Sequence, residues 1–260
     1  MLRPRIIPCL LVHDGGLVKT VGFKNPKYVG DPINAVKIFN EKEADELMVL
    51  DIDASATGAD PDFRMIADVA AECRMPLCYG GGVRTREQAK RIIGLGVEKV
   101  AISAAAVTEP ELITRISEEI GAQSVVVVLD AKKCMFGRGY EVYTHNATRG
   151  TKRSAVELAR EAQSRGAGEL VINSIDRDGE MKGYDLVLAS ELRAAVSIPI
   201  TVLGGAGSLE DLAALITTCG VVGAAAGSLF VFKGVRRAVL INYPNVERKD
   251  ELVQGSFKSN

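Results

Sequence analysis

The chain has little of several things that would direct a functional reading. Among 260 residues there are only two histidines, His13 and His145, too few for a histidine-rich metal centre. The five cysteines, Cys9, Cys73, Cys78, Cys134 and Cys219, are odd in number and form no C-x-x-C pair. That pattern fits reduced thiols in a cytoplasmic protein rather than a disulfide framework. A formal net charge of −1 leaves no electrostatic case for nucleic acid or an anionic membrane. No apolar run approaches the ~20 residues that span a bilayer. The start, "MLRPRIIPCL", lacks the apolar stretch and cleavage site of a signal peptide. No metal and no cofactor is expected.

What is present is alternation. The runs "RIIPCLL", "ELMVLDI", "PLCYGG", "KVAIS", "SVVVVLD", "ELVINSI", "PITVLGG" and "VVGAAAG" read as eight strands covered on both faces. Helical patterns lie between them, over 32–44, 61–72, 85–95, 109–119, 153–166, 186–195 and 208–218. In "DPINAVKIFNEKEAD", Asp31 is placed to cap, Pro32 suits the first helical position, and Ala35, Val36, Ile38 and Phe39 make an apolar stripe. Eight such units predict an α/β fold, a (β/α)8 TIM barrel, with an open doubly wound sheet as the alternative. The whole chain, 1–260, reads as one barrel domain.

The chain also repeats itself. "PLCYGGGVRTREQAKRIIGLGV" (76–97) matches "PITVLGGAGSLEDLAALITTCGVV" (199–222), and "LDIDASATG" (50–58) resembles "INSIDRDGEMKG" (172–183). A period of about 120 residues is too long for a solenoid. It predicts two fused half-barrels, about 3–120 and 121–232, with an irregular tail over 233–260 that Pro244 interrupts. Leu11, at the end of the first strand, and Asp130, at the end of the fifth, then become symmetry mates. The long linkers 13–31 and 131–152 follow those same two strands and suggest a cover over the reaction face.

Two glycine clusters follow the third and seventh strands: Gly80, Gly81 and Gly82, then Gly204, Gly205 and Gly207. Backbone N–H groups in such turns can approach phosphate oxygens, with Ser103, Ala104 and Ala105 completing one cradle and Gly227 and Ser228 the other. Asp178 and Gly179 are assigned beside the second. The plainer reading is that the glycines only permit tight turns. The expected ligand is a phosphorylated small molecule.

These segments, together with "GDP", "GAQSVVVVLDAK", "GAGELVINSIDRDG" and "GYD", resemble the cyclase subunit of imidazole glycerol phosphate synthase over roughly residues 3–232. The resemblance implies a barrel that docks a glutaminase at one end, in a heterodimer. Ammonia then travels to the far mouth, where two aspartates serve as acid and base. Asp130 matches one of them, whereas Leu11 stands where the other belongs. Lys19 and Asp51 match substrate-binding positions. Ser103 and Ala104 replace an Asn-Thr pair, Leu203 a serine, Cys78 a threonine and Val231 a histidine.

At the other end the resemblance makes Arg5, Glu46, Lys99 and Glu169 the salt-bridged ammonia gate, with Asp45, Glu98 and Gln123 at the glutaminase interface. The structural alternative is an ion-pair ring that merely closes the barrel bottom. A lost aspartate beside a kept gate points to a conduit whose ring-closing activity is weakened or lost. "CLLV" and "SLFVFKGVRRAVLINYP" resemble a branch that supplies ammonia to a sugar amidotransferase in surface-polysaccharide synthesis. The alternatives are an active cyclase subunit in which Asp130 works with His13, and a non-catalytic glutaminase activator. His145 reads as a loop residue.

Overall fold

The computed structural model describes residues 3–135, 139–234 and 236–258. The eight runs become parallel strands in sequence order: β1 (Arg5–His13), β2 (Leu47–Asp51), β3 (Leu77–Gly80), β4 (Lys99–Ile102), β5 (Val125–Lys133), β6 (Glu169–Ser174), β7 (Ile200–Leu203) and β8 (Gly223–Ala226). Each pairs with the next, and β8 pairs back onto β1, with Ile7 opposite Ala225. The sheet therefore closes into a barrel, and the open-sheet alternative falls.

Strand periodicity sorts the side chains into two cores. Ile6, Leu10, Val49, Val127, Leu170 and Ile172 point outward and pack beneath the helices. Ile7, Cys9, Met48, Cys78, Val126 and Val171 point inward and fill the barrel. By the same alternation Arg5, Glu46, Lys99 and Glu169 face the axis at one end, and Leu11 and Asp130 face it at the other. All seven expected helices form, within a few residues of the expected bounds. The helix Leu186–Ala195 matches its expected span at both ends.

Two expectations need correction. The segments after β1 and β5 carry antiparallel strands: Gly16–Val21 with Lys24–Gly30, and Tyr140–Thr144 with Arg149–Ser154. β1 and β5 run nine residues each, long enough to leave the barrel and pair with the first strand of each excursion. Residues 136–138, within the second linker, lie outside the described residues. The tail is also ordered: Val246–Lys258 is a helix. Pro244 precedes that helix, and the Asn245 side chain accepts from Arg248 N at 3.0 Å, so the pair starts a helix where a stop was expected.

That tail is held at the N-terminal face of the barrel. Tyr243 OH donates to Ile6 O (2.8 Å) and accepts from Asp45 N (3.2 Å). The buried Lys249 ammonium reaches Glu43 O at 2.8 Å and Asp45 Oδ1 at 2.7 Å. No helix among the described residues is long and apolar enough to cross a membrane.

Candidate functional site at the two ends of the barrel

The four charges at the N-terminal end form a closed ring. Arg5 pairs with Glu46 and, through Nη2 at 2.7 Å, with Glu169. Lys99 Nζ lies 2.8 Å from Glu46 Oε1 and 2.9 Å from Glu169 Oε2. Thr201 Oγ1 donates to Glu169 Oε1 at 2.6 Å. Burial alone would pull Arg5 and Lys99 down and push Glu169 up. The opposite charges outweigh it, so both cations are raised and Glu169 is lowered. Arg5, Lys99 and Glu169 are thus each held in the charged form. Of the expected docking residues, Glu98 and Gln123 are exposed. Asp45 is engaged within the chain: besides Lys249, it accepts from Ile6 N at 2.9 Å.

Above the ring lies the packed apolar interior, and above that a cavity of about 490 Å³ at the C-terminal mouth. Asp130 lies at its floor. Burial pushes its carboxyl up to about 7, against the hydrogen bond from Asn173 Nδ2 (3.0 Å) and with help from Asp178. A carboxyl held there can both give and take a proton near neutral pH. Leu11 lines the same cavity. The register confirms that the two are equivalent: Leu11 pairs with Val18 in the first excursion, Asp130 with Tyr143 in the second.

His13 is turned toward Asp53. Its Nδ1 lies 2.6 Å from Asp53 Oδ1, a contact that raises its pKa, and it is not among the residues lining the cavity. His145 does line the mouth, and burial lowers its pKa. His13, Asp14 and Asp53 come together as a polar cluster at the rim.

The glycine turns repeat across the two halves. A side chain on Gly81 would meet Asp51 at 2.6 Å, and one on Gly204 would meet Ser174 O at 2.8 Å, so both glycines are required by close approach of a neighbouring strand end. Gly82 and Gly205 also carry positive φ, of 70° and 108°. The long helices behind these turns close their own ends with capping boxes, Thr85 with Gln88 and Ser208 with Asp211. The short helices Ala104–Thr108 and Ser228–Val231 have no side-chain cap, and both starts line the cavity. Ser103 and Gly227 stand at the N-cap positions of these two helices.

Lys19 lies over Gly227, where an added Cβ would be 2.7 Å from Nζ. The Lys19 ammonium donates to Cys9 O at 2.6 Å, and burial lowers its pKa. Asp51 is raised by burial and accepts from Asp53 N (2.9 Å) and Ala54 N (3.1 Å). Asp178 holds the first excursion, through Thr20 Oγ1 (2.7 Å) and Phe23 N (2.9 Å), and Gly179 packs against Thr20 O.

Sequence reasoning missed a matched pair of tethers. Asp53 accepts from Asp14 N at 2.8 Å, and Asp176 accepts from Lys133 N at 2.9 Å. These are the same contact in the two halves, and the repeat "LDID" against "NSID" was its only signal. The second excursion also crosses the mouth: Asn146 Nδ2 donates to Ile52 O at 2.7 Å. Each excursion thus reaches the turn after a strand of the opposite half.

Comparison with known proteins agrees with this geometry. A family model described as histidine biosynthesis protein matches residues 5–236. The chain is 57% identical over 97% of its length to a Leptospira interrogans protein named "Putative imidazole glycerol phosphate synthase subunit HisF", covering 99% of that relative. It is 56% identical to a Vibrio vulnificus protein named "Putative imidazole glycerol phosphate synthase subunit hisF3", over 98% of each chain. It is 43% identical to the imidazole glycerol phosphate synthase subunit HisF of Hyphomonas neptunium, over 89% of this chain and 91% of that one. With a closed eight-stranded barrel and a match across nearly all of it, the chain belongs to the histidine biosynthesis protein family.

Proposed function

We propose that this chain is the barrel subunit of a glutamine amidotransferase complex. It takes ammonia from a glutaminase at the charged ring and delivers it to the C-terminal mouth. The observation that carries this reading is the uneven state of the two ends. The ring Arg5–Glu46–Lys99–Glu169 is complete, with both carboxylates buried and both cations half-buried at considerable desolvation cost, while the mouth holds one axial carboxylate, Asp130, opposite Leu11. Apolar side chains would seal a barrel end at lower cost, so a paired ring suits a gate.

The acceptor of the nitrogen has two readings. The relatives' names favour an imidazole glycerol phosphate synthase subunit; the family resemblance then implies ring closure on an aminoimidazole carboxamide ribonucleotide, with Asp130 as the acid/base and an altered second group. Leu11 favours a barrel in which that step is weakened, with ammonia passed to an enzyme amidating an N-acetylated nucleotide sugar. Leucine neither gives nor takes a proton, and a positioned acid or base contributes about 10² to 10⁴ in rate. We place the function at the conduit, common to both readings, with ring closure weakened.

The conduit is tested in the barrel–glutaminase complex with amide-¹⁵N glutamine and excess unlabelled ammonium. Lys99→Met should leave glutamine hydrolysis running and sharply lower the ¹⁵N share of the aminated product. An unchanged ¹⁵N share would overturn the conduit reading. Hydrolysis stimulated by wild type with no ¹⁵N transfer at all would point to a pure activator.

A further inference from the structure

Asn173 was not among the expected site residues, yet of the two buried side-chain atoms left unsatisfied among the described residues, Tyr79 OH and Asn173 Oδ1, it carries the one that belongs to a cavity-lining residue. Its Nδ2 donates to Asp130 Oδ1 at 3.0 Å, while its Oδ1 is buried without a hydrogen-bond partner. Turning the amide over would not help, because it would set two acceptors face to face whenever Asp130 is ionised. The residue is 7% exposed and lines the cavity. An orphaned buried carbonyl is costly, and its retention asks for a donor that comes and goes.

Position says which donor. Asn173 stands on β6 two steps above Val171 and four above Glu169, on the same inward-facing line. It lines the cavity beside Leu203 and Gly204, and its Oδ1 lies close enough to Gly204 that a side chain there would meet it at 3.2 Å. The inward-facing side chains between the charged ring and the mouth are Ile7, Met48, Val126, Val171, Cys9 and Val128, and oxygen acceptors stand above them at the cavity. Those acceptors are Asp130 and Asn173. Ammonia offers three N–H donors and one lone pair, so two adjacent acceptors suit it.

We propose that Asn173 is a positioning residue for the incoming nitrogen: its Oδ1 accepts one N–H of ammonia while Asp130 accepts another, leaving the lone pair directed into the mouth. This rests on the conduit reading for the direction of supply, but its test does not use the conduit. The inference concerns binding and orientation only, and it holds whichever acceptor receives the nitrogen.

The test is solution NMR on the full ¹³C,¹⁵N-labelled chain, titrated with ammonium chloride against tetramethylammonium chloride at matched ionic strength. Ammonium should shift the Asn173 side-chain amide and the Asp130 carboxyl carbon in a saturable manner. Tetramethylammonium, which has no N–H, should leave both in place. In Asn173→Val the ammonium response at Asp130 should fall at least several-fold, with the rest of the spectrum and the melting transition retained. Asn173→Thr, which keeps one acceptor, should recover part of it.

The proposal is overturned by no saturable shift, by equal shifts with tetramethylammonium, or by a full Asp130 response in Asn173→Val. If Lys99→Met left ¹⁵N transfer intact while these shifts held, the conduit would fail and the nitrogen station would stand. The reverse result would remove the station alone.

Discussion

At the scale of the residue, Asp130 is the group whose environment most clearly serves chemistry. Its carboxyl is raised from 3.8 to about 7, chiefly by burial. Folding therefore favours the protonated form: the associated stability is present below about pH 4 and is lost as pH rises through about 7. Asp130→Asn removes that dependence. Its melting temperature should match wild type near pH 4 and pull progressively above it toward pH 7, then run parallel. A constant gap across that range would show that the carboxyl is not perturbed. Asp130 and Leu11 were both legible in the sequence, because strand ends and a repeat sufficed to find them. Asn173 was not, because an orphaned oxygen is a property of packing that no motif carries. The resemblance put Asp45 at the glutaminase interface; in the structure its carboxylate accepts from Ile6 N and pairs with Lys249, contacts that no motif announces.

At the scale of the element, the ring and the excursions make separate claims. Removing Lys99 leaves the two buried carboxylates Glu46 and Glu169 sharing the single cation Arg5, and breaking a buried ion pair costs up to about 3–5 kcal/mol. Lys99→Met should lose stability of that order in urea denaturation, and a loss near zero would mean that the ring is not tightly coupled. The first excursion is held over the mouth by Asp178, through Thr20 and Phe23. Asp178→Ala should speed hydrogen exchange of the backbone over 16–30 while leaving the barrel strands protected. Unchanged exchange would mean that other contacts hold this cover. Barrel strands were readable because they are continuous apolar runs closed by glycine turns. The excursion strands were not, since the first turns at Gly22 and Phe23, both at positive φ (58° and 63°), in place of the usual Asn-Gly signal. The tail helix was hidden for another reason. Its stability comes from Tyr243 and Lys249 docking on residues some 200 positions away, a tertiary effect that local propensity does not show.

At the scale of the whole molecule, the two halves repeat in detail: glycine turns, capping boxes, the Asp53 and Asp176 tethers, and hairpins crossing to the opposite half. Against that symmetry the mouth is uneven, with a carboxylate on one axis-facing strand end and a leucine on its mate. The charged ring at the other end remains paired all the way round. The account's central claim, that ring closure is limited by the missing carboxylate, is tested most directly by steady-state turnover of purified barrel. The substrate is the aminoimidazole carboxamide ribonucleotide with saturating ammonium salt, and wild type is compared with Leu11→Asp. Wild type should be slow, with Leu11→Asp faster by about 10² or more, within the usual contribution of one positioned acid or base. Rapid wild-type turnover that a correctly folded Leu11→Asp variant does not exceed would contradict it.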